Sequence, residues 1–319
     1  MKLKQFLGSG MMLFLGLITL ASCAQNASHL IAPIEAFIQE QDEPAARGKV
    51  GRISPPESNI LYRFDITPDN KYIVYSATQT GGGDNLYQLW KIEIEGSLTP
   101  QKITSGGDSD YFSPTFTKDG EYIVFESNKQ LWKVKKDGTG GKIRIPGAGM
   151  RTDSYPHVSS KDKLVFNSTI GSMSTLKQVI WISDLDGGEL TQLREGSKPR
   201  WSPDGIEIVF EHQGDIWKVN ADGTKLTQLT TTSWVYEDTP SFSTDGRQIV
   251  YSSNEGKDGR ASNDWNIWKM DIDGSNKTQL TELQSWDMWP VWGKNGIYFL
   301  SSRGASSNQR VQKIWRLKP

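Results

Sequence analysis

Short runs of alternating apolar and polar residues recur from about residue 60 to the end of the chain. In each recurrence an apolar residue precedes a polar turn, and the six turns occupy residues 66–70, 116–120, 158–162, 201–205, 242–246 and 292–296. A β-rich run follows each turn, which predicts strands at residues 72–76, 122–127, 164–168, 206–211, 248–253 and 297–301. A repeat of about 40 to 50 residues with this content is typical of β-propellers, in which each repeat forms one blade.

A tryptophan inside an alternating strand repeats in step with the turns, at Trp90, Trp132, Trp181, Trp217, Trp268 and Trp315. Five of these strands lead into a hairpin turn with glycine in second place, at residues 95–96, 137–138, 186–187, 222–223 and 273–274. Glycine accepts the positive φ that tight turns need, and a further short strand follows each turn. Each unit therefore holds four short antiparallel strands, and we predict an all-β, six-bladed propeller over residues 49–319.

The sixth unit ends at its third strand, which includes Trp315, so its outermost strand is missing. Residues 48–54 precede the first unit and resemble the fourth strands of the other units. We predict that this N-terminal segment completes the last blade and closes the ring, because an open blade would expose unpaired backbone groups.

Two segments carry a family resemblance. Residues 200–210 (RWSPDGIEIVF) and 267–274 (IWKMDIDG) resemble the WD40-like repeats of the TolB-like six-bladed β-propellers, and the likeness extends over about residues 49 to 319. The resemblance implies a propeller that binds a peptidoglycan-associated lipoprotein at a channel mouth and admits peptide segments. TolB proteins also carry a separate N-terminal α/β domain, for which residues 1–48 are too few.

The N-terminus has the pattern of an export signal. Lys2 and Lys4 precede an apolar stretch at residues 6–20, and Leu20-Ala21-Ser22-Cys23 resembles a bacterial lipobox. We predict a signal peptide at residues 1–22, lipidation of Cys23 and a tether over residues 23–48. Cys23 is the only cysteine, so we expect no internal disulfide. The absence of Asp at position 24 favours the outer membrane, with the propeller facing the periplasm.

Charge and composition remove several classes of function. Lys and Arg total 36 against 37 for Asp and Glu, so the chain has no field to draw it to nucleic acid. The three histidines, His29, His157 and His212, are too few for a histidine-rich metal centre. The oxygen-rich loop at residues 254–259 lacks the spacing of a calcium loop. There is no phosphate loop or nucleotide fingerprint, and we expect no cofactor and no metal.

The candidate site consists of residues that the repeat itself does not require. They precede the proline of the innermost strand in four units, and we expect them to converge at one mouth of the central channel: Asp110, Tyr111, Asp153, Tyr155, Trp234, Tyr236, Glu237, Asp238, Trp286, Asp287 and Trp289. Aromatic faces beside carboxylates suit sugars, and they equally suit Arg or Lys side chains of a peptide. The sequence therefore predicts a partner-binding mouth.

Two functions of different class fit these residues. The first is a monomeric, membrane-anchored interaction module that binds an envelope protein or peptide, such as a peptidoglycan-associated one. The second is a carbohydrate-binding or carbohydrate-active propeller of the lyase or glycosidase kind. The chain has no Gly-x-Ser-x-Gly nucleophile elbow and no recognisable catalytic set. We therefore predict that it is not an enzyme and favour the interaction module.

Overall fold

The chain forms a six-bladed β-propeller. The computed structural model describes residues 41–42, 49–53, 61–78, 86–96, 99–104, 109–149, 152–172, 175–256, 258–282, 285–304 and 312–318. The predicted signal peptide, Cys23 and all of the predicted tether except Gln41 and Asp42 lie outside these residues. No helix in the described ranges is long and apolar enough to cross a bilayer.

The strands fall into six antiparallel sheets. Two short strands precede the first complete blade: β1 (Gln41–Asp42) and β2 (Lys49–Arg52). Blades 1 to 3 contain β3 (Leu61–Ile66), β4 (Tyr72–Ala77), β5 (Gln88–Glu93) and β6 (Gln101–Lys102); β7 (Phe112–Phe116), β8 (Tyr122–Ser127), β9 (Gln130–Lys135) and β10 (Ile143–Ile145); and β11 (Thr152–Val158), β12 (Lys163–Ile170), β13 (Lys177–Asp184) and β14 (Thr191–Glu195). Blades 4 to 6 contain β15 (Ser197–Trp201), β16 (Glu207–His212), β17 (Asp215–Asn220) and β18 (Thr227–Gln228); β19 (Glu237–Phe242), β20 (Gln248–Glu255), β21 (Ala261–Asp271) and β22 (Thr278–Gln279); and β23 (Asp287–Gly293), β24 (Gly296–Ser301) and β25 (Lys313–Lys318).

The predicted closure of the ring is confirmed. Strand β2 pairs antiparallel with β25, with Lys49 opposite Lys318 and Arg52 opposite Trp315. The backbone N–H of Ile53 continues the ladder by donating to the carbonyl of Ile314 at 2.8 Å. Strand β1, inside the predicted tether, adds a fifth strand outside β2. The last blade is thus built from both ends of the described chain.

The core lies between neighbouring blades. The second strand of each blade supplies fully buried aliphatic and aromatic side chains, among them Ile73, Phe125, Phe166 and Phe210. Burying one such side chain stabilises the fold by about 1.5–3 kcal/mol. The repeating strand tryptophans pack against the same clusters as partly buried rings in five blades, and Trp315 is buried in the sixth. The apolar positions that repeat along the sequence therefore form the packing between neighbouring blades.

The aspartates of the repeated turns hold the turns together. In blade 4, Ser202 Oγ donates to Asp204 Oδ1 at 2.6 Å, and the same carboxylate accepts the N–H of Ile206 at 3.0 Å. These hydrogen bonds lower the pKa of Asp204. Gly205 follows with a φ of 66°, which a side chain would disfavour. The equivalent Asp119 and Asp245 bond in the same way, so these residues form turns.

Candidate functional site

The innermost strand of each blade lines the central channel. In five blades it contains a proline, and the residue before the proline has positive φ: Ser113, Tyr155, Lys198, Thr239 and Trp289. The strand register shifts at the same place in every blade, which marks a bulge. Blade 1 has the same register shift although its innermost strand has no proline, so the bulge belongs to the repeat itself, and it re-aims the side chains that flank it. The predicted site residues nearest each proline are consequently part of the strand rather than of a connection.

Residues before and after the prolines line two different cavities. The side chains before them surround a cavity of about 50 Å³ at the start of the innermost strands, which we call the narrow mouth. The positions after the prolines, together with the repeated turns at the ends of these strands, surround a cavity of about 380 Å³, which we call the wide cavity. Arg200 borders both.

An arginine fills the narrow mouth. The guanidinium carbon of Arg63 lies 3.7 Å from the ring centre of Tyr155 and 3.9 Å from that of Trp289. The two rings belong to blades 3 and 6, and their centres are 6.0 Å apart in a stacked arrangement. Arg63 Nη1 donates to Ser113 Oγ at 2.7 Å, whereas its buried Nε has no acceptor. Cation–π contacts with both rings hold this cation, and its charge partly offsets the burial that raises the pKa of the Glu126 carboxyl.

A second cation lies beside the same rings. Lys198 Nζ contacts both carboxylate oxygens of Asp238, at 2.7 and 2.5 Å, and lies 5.6 Å from the ring centre of Trp289. The structure therefore brings three of the predicted residues, Tyr155, Trp289 and Asp238, to the narrow mouth. Each interacts there with a cation that belongs to the chain itself.

Two aromatic side chains stand out on the surrounding surface, which we call the narrow-mouth face. Trp234, in the connection from blade 4 to blade 5, is 89% exposed, and Tyr236 is 60% exposed. The Tyr236 ring lies against Gly214, whose φ is 87° and where a Cβ would come within 3.0 Å of the ring. Glu237 N–H donates to the Gly214 carbonyl at 2.8 Å, which fixes the end of this connection. Trp234 projects from it into solvent.

Three other predicted residues are buried below this face. Tyr111 packs edge-on against Phe125 between blades 1 and 2. Asp153 accepts a hydrogen bond from Ser168, and burial raises the pKa of its carboxyl. Asp287, at 0% exposure, forms an ion pair with Arg303 and accepts from the hydroxyls of Ser285 and Ser301. The structure does not place these three side chains in the channel mouth.

Glu237 is also buried, beside a second carboxylate. Thr230 Oγ1 lies 3.2 Å from Glu237 Oε2 and 3.4 Å from Asp215 Oδ1. Burial, together with the charge of Asp215, raises the pKa of Glu237 to about 7. The two carboxylates lie between blades 4 and 5, away from both channel cavities.

The remaining two predicted residues are partly buried. Asp110 Oδ1 accepts the backbone N–H of Tyr87 at 2.8 Å and so joins blades 1 and 2. The backbone N–H of Trp286 donates to Ser302 Oγ at 2.9 Å, and Trp286 forms an isolated bridge with Trp265. Both positions serve connections between strands and lie outside the two cavities.

The wide cavity was not predicted from the sequence. It is lined by polar side chains of the innermost strands, including Asp65, Thr115, His157, Arg200 and Ser241. Arg200 Nη1 lies 3.3 Å from Asp65 Oδ1, and Thr115 Oγ1 donates to Asp65 Oδ2 at 2.7 Å. The signal that could have found them is the residue after each channel proline, which is polar in blades 2 to 5.

His157 is held uncharged in this cavity. Its Nδ1 accepts the backbone N–H of Trp201 at 3.1 Å. Removal from water, with Arg200 nearby, lowers the pKa of the imidazole to about 3. A neutral ring whose Nδ1 is an acceptor carries its proton on Nε2, so His157 presents a single donor.

No metal centre is formed within the described ranges. No group of three or more His, Cys, Asp or Glu side chains there could hold an ion. In the oxygen-rich loop, Gly256 N–H donates to the Arg260 carbonyl at 2.7 Å and Asp258 Oδ1 accepts the N–H of Arg260 at 3.1 Å. These bonds are those of a turn.

Sequence comparisons find relatives of about 25% identity. No protein-family profile matches the chain. An uncharacterised protein of Agrobacterium fabrum is 26% identical over 257 residues, 73% of this chain and 81% of that protein. Dipeptidyl-peptidase 5 of Porphyromonas endodontalis is 25% identical over 85% of this chain, which spans 41% of that protein's length.

Solved structures give the same fold at lower identity. A protein assigned as TolB from Agrobacterium tumefaciens is 18% identical with a TM-score of 0.58, covering 82% of this chain and 91% of that one. Oligogalacturonate lyase from Vibrio parahaemolyticus is 14% identical with a TM-score of 0.58, covering 88% and 96%. TolB from Acinetobacter baumannii is 15% identical with a TM-score of 0.54, covering 78% and 64%. The predicted TolB-like, six-bladed propeller is confirmed as a fold.

Proposed function

We propose that this chain is an exported lipoprotein of the bacterial cell envelope whose propeller binds a partner protein on the narrow-mouth face. Lipidation of Cys23 anchors it to the outer membrane, facing the periplasm, and the propeller has a binding rather than a catalytic role. The TolB proteins among the structural relatives support this assignment, since they share the propeller architecture.

The observation that carries the proposal is the exposure of Trp234. A tryptophan is large and amphipathic, and leaving it 89% exposed in water forgoes the burial free energy of a large ring. Tryptophan and tyrosine are the residues most enriched at the energetic centres of protein interfaces. Tyr236 stands two residues away, and the aromatic rings of the narrow mouth belong to the same face.

Crosslinking and pull-down from envelopes of the native organism tests this proposal. A Trp234→Ala, Tyr236→Ala variant is compared with wild type and with an Ile206→Ala, Leu226→Ala control, which removes two other exposed apolar side chains. We expect wild type and the control to retain the same specific partner and the aromatic variant to lose it. Equal recovery by all three proteins would contradict a partner site on the narrow-mouth face.

A carbohydrate-active propeller is the second candidate. It is favoured by the likeness to an oligogalacturonate lyase, which establishes a shared fold. Incubation of the purified chain with oligogalacturonates, followed by detection of unsaturated products, separates the two candidates. The interaction module predicts no turnover, and product formation that follows the enzyme concentration would replace it.

A further inference from the structure

The wide cavity has the size of a ligand site, whereas the narrow mouth does not. Ligand pockets in proteins enclose about 300–1,000 Å³. The wide cavity holds about 380 Å³, and the narrow mouth, filled by Arg63, holds about 50 Å³. The wide cavity lies at the opposite end of the channel from Trp234, so an inference about it is independent of the proposed partner site.

Arg200 uses only one of its N–H groups in its contact with the described residues of the wide cavity. Its contact with Asp65, at 3.3 Å, uses only Nη1 of a guanidinium that carries five N–H donors. Asp65 is already engaged on its other oxygen by Thr115, at 2.7 Å. Within the described residues, no protein acceptor meets the remaining N–H groups of Arg200.

His157 adds a neutral donor beside this guanidinium. Because Trp201 N–H donates to Nδ1, the ring carries its proton on Nε2. This Nε2–H has no acceptor within the described part of the protein. The hydroxyl of Ser241, in the next blade, lines the same cavity. The floor of the cavity thus offers several donors, and its one carboxylate already accepts two protein donors.

The rim of the wide cavity is positively charged, as is Arg200 on its floor. Lys118 and Lys294, from blades 2 and 6, are exposed and line the cavity. The lining therefore carries three cations, Arg200, Lys118 and Lys294, against one carboxylate, Asp65. A carboxylate is acceptor-only, so it suits the excess of positive charge and the N–H groups of Arg200 and His157, and the lining hydroxyls can also donate to it.

We propose that the wide cavity binds a ligand through a carboxylate group, which Arg200 receives with His157 Nε2–H and Ser241 Oγ as further donors. The carboxylate completes the hydrogen bonding of a guanidinium that Asp65 satisfies only in part. Lys118 and Lys294 attract the anion toward the cavity from the rim.

Calorimetric titration with glutarate tests this site. Glutaramide, the neutral diamide of the same length, serves as the matched ligand, and the shift of the Trp201 backbone amide in NMR spectra locates the binding. We expect saturable binding of glutarate that moves the Trp201 resonance, and at least about tenfold weaker binding of the diamide. Equal binding of both compounds, no glutarate binding, or binding that leaves Trp201 unmoved would overturn the proposal.

Variants connect the affinity to named residues. Arg200→Gln should weaken glutarate binding by about tenfold or more, and Lys177→Gln, the same loss of charge at an exposed site outside the cavity, should leave it unchanged. If Arg200→Gln does not fold, the exposed double variant Lys118→Gln, Lys294→Gln tests the rim. We expect this variant to bind glutarate more weakly and with less dependence on salt, and an unchanged affinity and salt dependence would overturn the assignment.

Discussion

The narrow mouth and the wide cavity are built by the same short stretch of each innermost strand, yet they present different chemistry. Tyr155 and Trp289 precede a channel proline and meet Arg63 of the equivalent position in blade 1, so aromatic faces hold a cation of the chain itself. Arg200 and His157 follow a channel proline and meet Asp65 of the equivalent position in blade 1 around open space. The residues before and after a proline are two positions apart, so they share the channel face of the strand at different heights, and the bulge between them re-aims their side chains.

The narrow mouth is filled by side chains of the chain itself, whereas the wide cavity is open. At the narrow mouth Arg63 covers the aromatic rings and Asp238 pairs with Lys198, so the proposed partner would contact the exposed Trp234 and Tyr236 around it. At the wide cavity Arg200 and His157 carry N–H groups that no acceptor among the described residues meets. A propeller can therefore offer a flat aromatic face to a protein at one end and a small polar pocket at the other.

The largest effect is expected from removing the strand that closes the ring, because both ends of the channel exist only in a closed propeller. Deletion of residues 49–53 removes β2, its pairing with β25 and the buried Ile53. We expect the free energy of unfolding to fall by more than about 4 kcal/mol and chemical denaturation to lose its single cooperative transition. A cooperative transition at the wild-type midpoint would show that the last blade does not need β2.

Asp287→Ala should show that one predicted binding residue has a structural role. It leaves Arg303 buried without its carboxylate partner, and breaking a buried pair costs about 3–5 kcal/mol. Denaturant titration of the folded variant measures the loss. The double variant Asp287→Ala, Arg303→Met should recover a large part of it, because the buried guanidinium that loses the Asp287 carboxylate is then absent as well; equal stability of the single and double variants would contradict this explanation.

Substituting each of the two channel arginines in turn tests whether the narrow mouth and the wide cavity act separately. Arg63→Ala removes a desolvated cation–π contact and should lower stability by about 1–2 kcal/mol while leaving glutarate binding unchanged. Arg200→Gln should weaken glutarate binding. Thermal unfolding and calorimetry on both variants measure the two effects, and loss of glutarate binding in Arg63→Ala would contradict the separation.

Glu237→Gln should change stability only above about pH 4.5, with the full effect above about pH 7. The folded carboxyl has a pKa of about 7 against an ordinary value of 4.5, so between these values the folded state holds a proton that the unfolded state has released. Stability therefore falls as pH rises from about 4.5 to about 7. We expect the variant to be more stable than wild type by about 1–2 kcal/mol at pH 8, with little difference below about pH 4.5. An advantage that does not depend on pH would contradict a raised pKa for Glu237.

The propeller could be predicted from the sequence because its determinants are local and repeated. Turns such as 201–205 and strand tryptophans such as Trp217 recur once in every repeat, and the missing strand of the last unit points to β2 as its replacement. The site could be predicted only in part. Trp234 and Asp287 both precede a channel proline, and nothing local distinguishes the exposed tryptophan from the carboxylate buried against Arg303. Arg63 and Arg200 were missed because their importance comes from partners on other blades.

The most direct test of the central claim is site-specific photocrosslinking in native envelopes. A photoreactive phenylalanine analogue is placed at Trp234 on the narrow-mouth face and, in a second protein, at Thr244 on the rim of the wide cavity. The account predicts a discrete protein adduct from position 234 that Tyr236→Ala diminishes, and no such adduct from position 244. A protein adduct from position 244 alone, or the same adduct from both positions, would contradict a partner site on the narrow-mouth face.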